Sequence, residues 1–250
     1  FLYVIVAFFV YRTWGATAES VILIQWGLYS IVLFVIILSA HPKISHVKSI
    51  FAELNKENRV YGLQLYIGSL VMVASNYLAG ITLGIFNEDN TEVGFYTLAL
   101  TVTSPIATLP AVIGTTYFKR FATQSRIPAK VLKGSILLTV GSCILFILLI
   151  KPVVVFLYSE AYSRVGTYAM WLAVGFSFHG FGDMINRYLG SHGQGKAIRN
   201  SSIANGLFKI FGYTVLVYYF NTAGALLTNV LCSVLYCVLL IYYYRRFIAL

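Results

Sequence analysis

Residues 134–150 read GSILLTVGSCILFILLI, and no charged side chain occurs between Lys133 and Lys151. With its flanks, this stretch predicts a helix over 131–157, long enough to cross a bilayer, since a spanning α-helix needs about 20 predominantly apolar residues. The whole chain has the same character: 59% of its 250 residues are hydrophobic, 10% are charged and the mean hydropathy is +0.80. A soluble domain contains about 45–50% apolar residues, so we expect lipid to be the main solvent.

Similar apolar runs, separated by short polar breaks, predict an all-α fold: a polytopic transmembrane helical bundle of about eight helices. The predicted helices cover 1–11, 18–39, 62–86, 92–118, 131–157, 164–190, 199–220 and 223–244. The first is too short to span a bilayer alone and the chain does not begin with Met, so we expect a fragment of a longer protein with a truncated first helix.

The longest polar break suggests how the helices are grouped. Residues 40–61 contain Val47, Ile50, Phe51 and Leu54 at helical spacing among charged residues, which is typical of an amphipathic surface helix. We predict that 1–39 are the last two helices of an N-terminal bundle, 40–61 a cytoplasmic linker and 62–250 a C-terminal six-helix bundle.

The charge of the breaks predicts the topology, because Lys and Arg accumulate in cytoplasmic loops. Alternate breaks are rich in cations, namely Lys43, Lys48, Lys56, Arg59, Lys119, Arg120, Arg126, Lys130, Lys133, Lys196, Arg199, Arg245 and Arg246. The intervening breaks hold only Arg12, Lys151 and Arg164 as cations. We therefore place the first set and the C-terminus in the cytoplasm. The net charge of +10 then indicates anionic lipid headgroups as partners rather than nucleic acid.

The predicted helix 199–220 carries the strongest candidate for function. Ionisable groups inside a bilayer are costly and usually face a protein interior or a wet cavity. Lys209 lies about midway along this helix, and one helical face combines it with Ser202, Asn205 and Tyr213. This face predicts a cavity wall at which Lys209 binds the phosphate of a lipid carrier. A structural lysine bonded to carbonyls of a neighbouring helix is an equally good interpretation.

The predicted helix 164–190 contains a second group of ionisable residues. His179, Asp183 and Arg187 recur every four residues and share one face. They could sense protons or gate the inner mouth of a passage, since His titrates near neutral pH. An Asp183–Arg187 pair that neutralises itself near the interface is the alternative, and the sequence favours it slightly.

Hydroxyl side chains form a third candidate. The predicted helix 92–118 carries Thr97, Thr101, Ser104, Thr108 and Thr115 along one side, and Pro105 and Pro110 predict a kink. These hydroxyls could line a solute path, although in membranes they more often serve helix packing. The predicted helix 62–86 has a thinner stripe of this kind, formed by Ser69, Asn76 and Gly80.

Signals for catalysis are weak. We find no nucleophile–base pair, metal-ligand spacing or carboxylate pair, and therefore expect no enzyme, cofactor or metal. Residues 190–197 imitate a phosphate-binding GxxxxGK loop, but Ala197 replaces the Ser or Thr that would bind Mg²⁺ and a membrane helix precedes the motif. We interpret this segment as a tight cytoplasmic turn.

Several stretches resemble a known family. They are Val60-Tyr61-Gly62-Leu63, Leu78-Ala79-Gly80-Ile81-Thr82-Leu83-Gly84-Ile85-Phe86, Glu92-Val93-Gly94-Phe95-Tyr96-Thr97-Leu98-Ala99, Lys151-Pro152-Val153, Leu157-Tyr158-Ser159-Glu160-Ala161-Tyr162, Gly193-Gln194-Gly195-Lys196 and Thr222-Ala223-Gly224-Ala225. Their order resembles polysaccharide flippases of the multidrug/oligosaccharidyl-lipid/polysaccharide (MOP) exporter superfamily. The resemblance implies a MATE-like fold that moves a polyprenyl-pyrophosphate-linked oligosaccharide across the bacterial inner membrane, by alternating access between two bundles, for O-antigen or capsule synthesis. Asn76 departs from the acidic residue that similar members often have, which puts a cation-coupling role of this position in doubt.

Two other functions compete with a flippase. A drug/cation antiporter of the same superfamily would use a similar scaffold, although Lys209 disfavours a cationic cargo. A membrane-embedded polysaccharide polymerase would need a larger loop with clustered Asp, His or Arg, whereas the outer breaks here are short. We expect lipid-linked oligosaccharide, membrane lipids and other polysaccharide-assembly proteins as partners.

Overall fold

The structure is a computed structural model, and it describes residues 5–6, 8–10, 12, 17–41, 47–87 and 90–249. These residues are almost entirely helical and contain no strand. The helices are α1 (Ala18–Ser39), α2 (Val47–Glu57), α3 (Leu63–Phe86), α4 (Thr91–Phe121), α5 (Ala129–Tyr158), α6 (Ser163–Ser191), α7 (Gly195–Phe211) and α8 (Val217–Ile248). Two π-helical turns, Asn58–Gly62 and Gly212–Leu216, connect α2 to α3 and α7 to α8.

The predicted all-α fold is confirmed for the described residues, which contain seven long helices, α1 and α3 to α8, instead of the predicted eight or so. Seven of the eight predicted helices have a counterpart there, and the first, 1–11, lies largely outside the described residues. Five helical segments in the described part are long and apolar enough to cross a membrane, namely Glu19–Ser39, Val47–Phe86, Thr91–Phe121, Ala129–Tyr158 and Gly195–Ile248.

The start of the third predicted helix needs correction. Helical structure begins at Val47 rather than at residue 62, and runs without interruption into α3. No proline occurs between these positions, and Gly62 itself has helical angles of φ −60° and ψ −45°. The predicted amphipathic helix in the 40–61 break is thus present, whereas residues 42–46 lie outside the described residues.

The predicted break between 220 and 223 is present inside α8. Asn221 has φ 48° and ψ −130°, so the helix changes direction there. A Cβ atom on Gly224 would lie 2.0 Å from the Leu216 carbonyl oxygen. A residue with a side chain could not occupy position 224 without moving this corner.

The chain divides into two units, Phe1–Leu54 and Asn55–Leu250. In the first unit, α1 begins with a capping box in which Thr17 and Ser20 each accept a hydrogen bond from the other's backbone N–H. None of the described side chains of α1 is buried. The predicted roles of 1–39, 40–61 and 62–250 as bundle, linker and bundle remain predictions.

In the Asn55–Leu250 unit, α6 is the central helix because glycines let its neighbours approach closely. A Cβ on Gly180 would lie 2.3 Å from the Ala107 carbonyl oxygen of α4. A Cβ on Gly166 would lie 2.9 Å from the Lys151 Cα of α5, and one on Gly175 would meet α8 at 2.8 Å. Small residues at such crossings are typical of helix packing in membranes.

The two sets of breaks in this unit lie at opposite ends, as the charge alternation predicts. At one end, which we call the basic end, the Tyr61 hydroxyl donates to the Gly190 carbonyl at 3.2 Å, and the Ile127 N–H donates to the Tyr244 hydroxyl at 3.2 Å. At the other end, Glu92 bonds Arg164. Which end faces the cytoplasm remains a prediction.

The segment 190–197 is the predicted tight turn. Gln194 N–H donates to the Leu189 carbonyl and Gly193 N–H to the Gly190 carbonyl, which is a Schellman motif with Gly193 at φ +67°. Gly195 packs against the Tyr61 ring. The glycines therefore serve a helix–turn–helix connection.

The core of this unit has two apolar clusters. The first contains Tyr96, Val154, Leu172 and Val217, near the Glu92 end. The second contains Phe121, Met184, Tyr188 and Leu240, near the basic end. Polar side chains occupy the layer between them and form the candidate site.

Candidate functional site

A cavity of about 400 Å³ lies about midway along α3, α6 and α8, beside the first half of α4 and the end of α7. Its lining consists of Asn76, Tyr96, Leu100, Thr101, Ser104, Phe176, His179, Lys209, Tyr213, Asn229 and Ser233. The described lining residues include two that can be cationic, Lys209 and His179, and no carboxylate. The cavity therefore combines positive charge with neutral hydrogen-bonding groups.

Lys209 is the central charged residue of this cavity. It is 4% exposed, and its Nζ donates a hydrogen bond to Asn76 Oδ1 at 2.5 Å. An ammonium group has three donors, and this is its only hydrogen bond in the part of the chain that the structure describes. Spare donor capacity on a desolvated cation is what an anionic ligand needs.

Buried polar groups lie beside Lys209. Tyr96 Oη and Asn229 Oδ1 face each other and the Tyr213 hydroxyl, but neither makes a hydrogen bond of ordinary geometry to the described residues. They lie close to Tyr213, which belongs to the π-helical turn Gly212–Leu216. A π-helical turn inside a longer helix frequently marks a functional site, and a phenol and an amide oxygen can bond phosphate oxygens and sugar hydroxyls, respectively.

The predicted hydroxyl stripe reaches the cavity through two of its members. Thr101 and Ser104 line the cavity and are exposed, so the cavity opens alongside α4. Ser104 Oγ donates to the Thr101 carbonyl at 2.9 Å. Pro105 has no N–H to bond this carbonyl, which explains how α4 continues through the proline. The predicted kink remains a prediction.

The His179 group forms a connected set beside the cavity. His179 Nε2 lies 3.9 Å from Asp183 Oδ2, and the His179 ring stacks on Tyr236 with centroids 4.8 Å apart. The Tyr236 hydroxyl donates to Asp183 Oδ1 at 3.0 Å, and Asn186 Nδ2 donates to that hydroxyl at 2.7 Å. Asp183 thus bonds α8 instead of neutralising Arg187, and the described residues contain no Asp183–Arg187 ion pair within 4.0 Å.

Five predicted site residues lie outside the cavity. They are Ser202, Asn205, Thr108, Asp183 and Arg187. Ser202 packs against Gly68 of α3, and Asn205 is fully buried with no hydrogen-bond partner for its amide among the described residues. Thr108 is exposed and donates to the Pro105 carbonyl of its own helix. The structure therefore brings together Lys209, Tyr213, Asn76, Thr101, Ser104 and His179.

The sequence prediction missed several lining residues. Asn229 and Ser233 are spaced by four and continue to Tyr236, so a polar stripe in the last helix was available as a signal. Tyr96 and Phe176 carry no such signal, because aromatic residues are abundant throughout the chain.

A second polar cluster, the Glu92 cluster, joins three helices at the end opposite the basic end. Glu92 accepts hydrogen bonds from Arg164 Nη1 at 2.8 Å, the Tyr168 hydroxyl at 2.7 Å and the Thr222 hydroxyl at 3.0 Å. These partners belong to α6 and to the segment that follows Asn221 in α8. The cluster fastens α4, α6 and α8 together.

Groups of three or more His, Cys, Asp or Glu side chains placed to hold a metal ion do not occur in the described ranges. We compared the chain with protein-family models, curated proteins and solved structures, and none of them matches it.

Proposed function

We propose that this chain belongs to a transporter that moves a polyprenyl-pyrophosphate-linked oligosaccharide across the bacterial inner membrane for cell-surface polysaccharide biosynthesis. In this proposal Lys209 binds the pyrophosphate, Asn229 and the hydroxyls of Thr101 and Ser104 contact the sugars, and the polyprenyl tail stays in lipid. The chain would be multi-pass, with its C-terminus in the cytoplasm.

The observation that carries the proposal is the position of Lys209. A buried cation at membrane depth costs about 3 kcal/mol, and the single hydrogen bond that Lys209 donates to the Asn76 amide oxygen compensates it only in part. Secondary transporters place their substrate sites near the bilayer midplane, at interruptions of helices. The π-helical turn Gly212–Leu216 is such an irregularity, and it begins three residues after Lys209.

The chemistry of the cavity favours an anionic amphipathic cargo over a cationic one. A cationic drug would need a carboxylate to pair with, whereas the described lining contains Lys209 and His179 and no Asp or Glu. Phenol and amide groups beside the cation supply neutral partners for phosphate and sugar hydroxyls.

The test is transport in vesicles that contain the full-length protein and a fluorescent polyprenyl-pyrophosphate oligosaccharide. We expect Lys209→Gln to lower the initial rate of translocation at least tenfold, because a charge-assisted hydrogen bond to phosphate becomes a neutral one. Lys209→Arg keeps the charge, and we expect it to retain a substantial part of the rate.

The matched control is Lys151→Gln, because Lys151 is an exposed lysine of α5 outside the cavity. We expect it to transport at the wild-type rate. Wild-type translocation by Lys209→Gln at equal protein amount would refute the phosphate-binding role. Equal losses of transport rate in Lys209→Gln and Lys151→Gln would show that the effect is not specific to a lysine in the cavity.

A further inference from the structure

A second concave surface lies between α5 and α8, and we call it the α5–α8 groove. It has a volume of about 360 Å³, and its walls include Val140 and Ile144 of α5, Phe178 of α6 and Ile241 of α8. The two hydroxyls in its lining, those of Thr139 and Ser177, donate to carbonyls of their own helices at 2.7 Å. The groove surface is therefore apolar.

The groove is open and separate from the Lys209 cavity. Val140, Ile144 and Phe178 are 50%, 55% and 43% exposed. On α6, Phe178 faces the groove, whereas Phe176 and His179 face the cavity. The groove and the cavity therefore lie on different faces of α6.

Each wall of the groove leads directly to a cation at the basic end. On α5, Lys133 precedes Ile136, Val140 and Ile144 at spacings of three, four and four, which places all of them on one helical stripe. On α8, Cys237 and Ile241 continue to Arg245 at spacings of four. The apolar surface thus ends in a positive charge on both sides.

The two cations lie at the same end of the fold. The Tyr244 hydroxyl accepts a hydrogen bond from the Ile127 N–H at 3.2 Å, so the segment that precedes α5 contacts the end of α8. Lys130 and Arg246 add charge in the same region, and all four cations are exposed. Among the described residues none of the four has an acidic partner within 4.0 Å.

An apolar groove at membrane depth that ends in unpaired cations matches a lipid with a negative headgroup. Zwitterionic headgroups offer no net charge to these cations, whereas basic pockets between membrane helices bind anionic headgroups. We propose that the α5–α8 groove binds one anionic phospholipid, with an acyl chain against Val140, Phe178 and Ile241 and the phosphate between Lys133 and Arg245.

The test counts the lipids that stay bound to the full-length protein. The protein is taken from vesicles of equal parts phosphatidylethanolamine and phosphatidylglycerol into mild detergent, and bound lipid is counted by native mass spectrometry. We expect wild type to retain phosphatidylglycerol preferentially. Lys133→Ala/Arg245→Ala should lower the affinity of the groove for phosphatidylglycerol about 25-fold, since a basic residue near the surface contributes about fivefold to the binding of an anionic lipid, and the bound lipid should fall accordingly.

Two matched controls separate this site from the general lipid belt. Lys119→Ala/Lys196→Ala removes the same charge from exposed residues at the basic end but outside the groove, and we expect it to bind like wild type. Val140→Trp fills the groove and should displace the lipid, whereas Leu137→Trp lies on α5 outside the groove lining and should not.

Several results would overturn the proposal. Equal losses in the two double-alanine variants would show a diffuse charge effect, and retention of lipid by Val140→Trp would show that the groove is not the site. Lys133→Arg/Arg245→Lys keeps both charges and should keep the lipid, so its failure to do so would also contradict the proposal.

Discussion

Glu92 and Lys209 both carry charge between packed helices of the Asn55–Leu250 unit, but their surroundings differ. Glu92 accepts three hydrogen bonds from side chains on α6 and α8. Lys209 donates one, to Asn76, and faces a cavity. The hydrogen-bond partners of the Glu92 carboxylate are supplied by the protein, whereas the Lys209 ammonium keeps donors that a ligand in the cavity could use.

This difference teaches how to assign a role to a buried charge. A carboxylate with three donors from two neighbouring helices stabilises the helix packing, because every bond would be lost if the helices separated. A cation with one partner loses solvation and gains little in return, so stability alone does not explain its position. Removal of the Glu92 carboxylate should therefore lower the free energy of unfolding, whereas removal of the Lys209 charge should leave it nearly unchanged or raise it.

The largest effect on stability is expected at Glu92. Glu92→Ala removes all three bonds of the Glu92 cluster and should lower the free energy of unfolding by about 3 kcal/mol, since hydrogen bonds to charged groups contribute about 1.5–3 kcal/mol. Unfolding in mixtures of mild detergent and sodium dodecyl sulfate measures it. The control is Glu160→Ala, at an exposed acid with no ion pair to the described residues. Losses of similar size in both variants would contradict the assignment.

The next effect is expected at Tyr168, whose hydroxyl donates to Glu92 at 2.7 Å. Tyr168→Phe removes this donor alone and should lower the free energy of unfolding by about 1.5 kcal/mol. Tyr162→Phe is the control, because the Tyr162 hydroxyl makes no hydrogen bond to the described residues. In the background of Glu92→Ala, Tyr168→Phe should have little further effect. Additive losses would mean that the two side chains do not act together.

The sequence predicts much of the fold because apolar length and charge leave few alternatives. The break near Asn221 and the sorting of cationic breaks to one end both follow from those two signals. The continuous helix through Gly62 did not follow, because a polar stretch reads as a break although helix-forming residues continue through it.

The candidate site is predicted less completely. Helical spacing correctly groups Lys209 with Tyr213, but it also includes Ser202 and Asn205, which do not line the cavity. Periodicity identifies which residues share a helical face, but not what packs against that face. At Ser202 the face is covered, because α3 approaches α7 closely at Gly68. Residues of other helices that line the cavity, such as Tyr96, could not be identified, because their position depends on how the helices pack and not on the local sequence pattern.

Lys209→Met tests the other side of the comparison, because it removes the charge and shortens the side chain by only one atom. We expect the free energy of unfolding to stay within about 1 kcal/mol of wild type or to rise, because the removal of a poorly paired buried charge relieves its desolvation cost. A loss of more than about 2 kcal/mol would instead identify a structural lysine.

The smallest effect is expected at Arg164, although it forms the ion pair of the Glu92 cluster at 2.8 Å. Its side chain is 67% exposed, whereas that of Glu92 is 20% exposed, so water and salt screen the guanidinium much more than the carboxylate. Arg164→Ala should therefore lower the free energy of unfolding by about 0.5 kcal/mol, and high salt should abolish this difference. The loss in Tyr168→Phe should persist in high salt, because its donor is neutral. A larger loss in Arg164→Ala than in Tyr168→Phe would mean that charge pairing, and not the buried hydroxyls, holds α4 to α6 and α8.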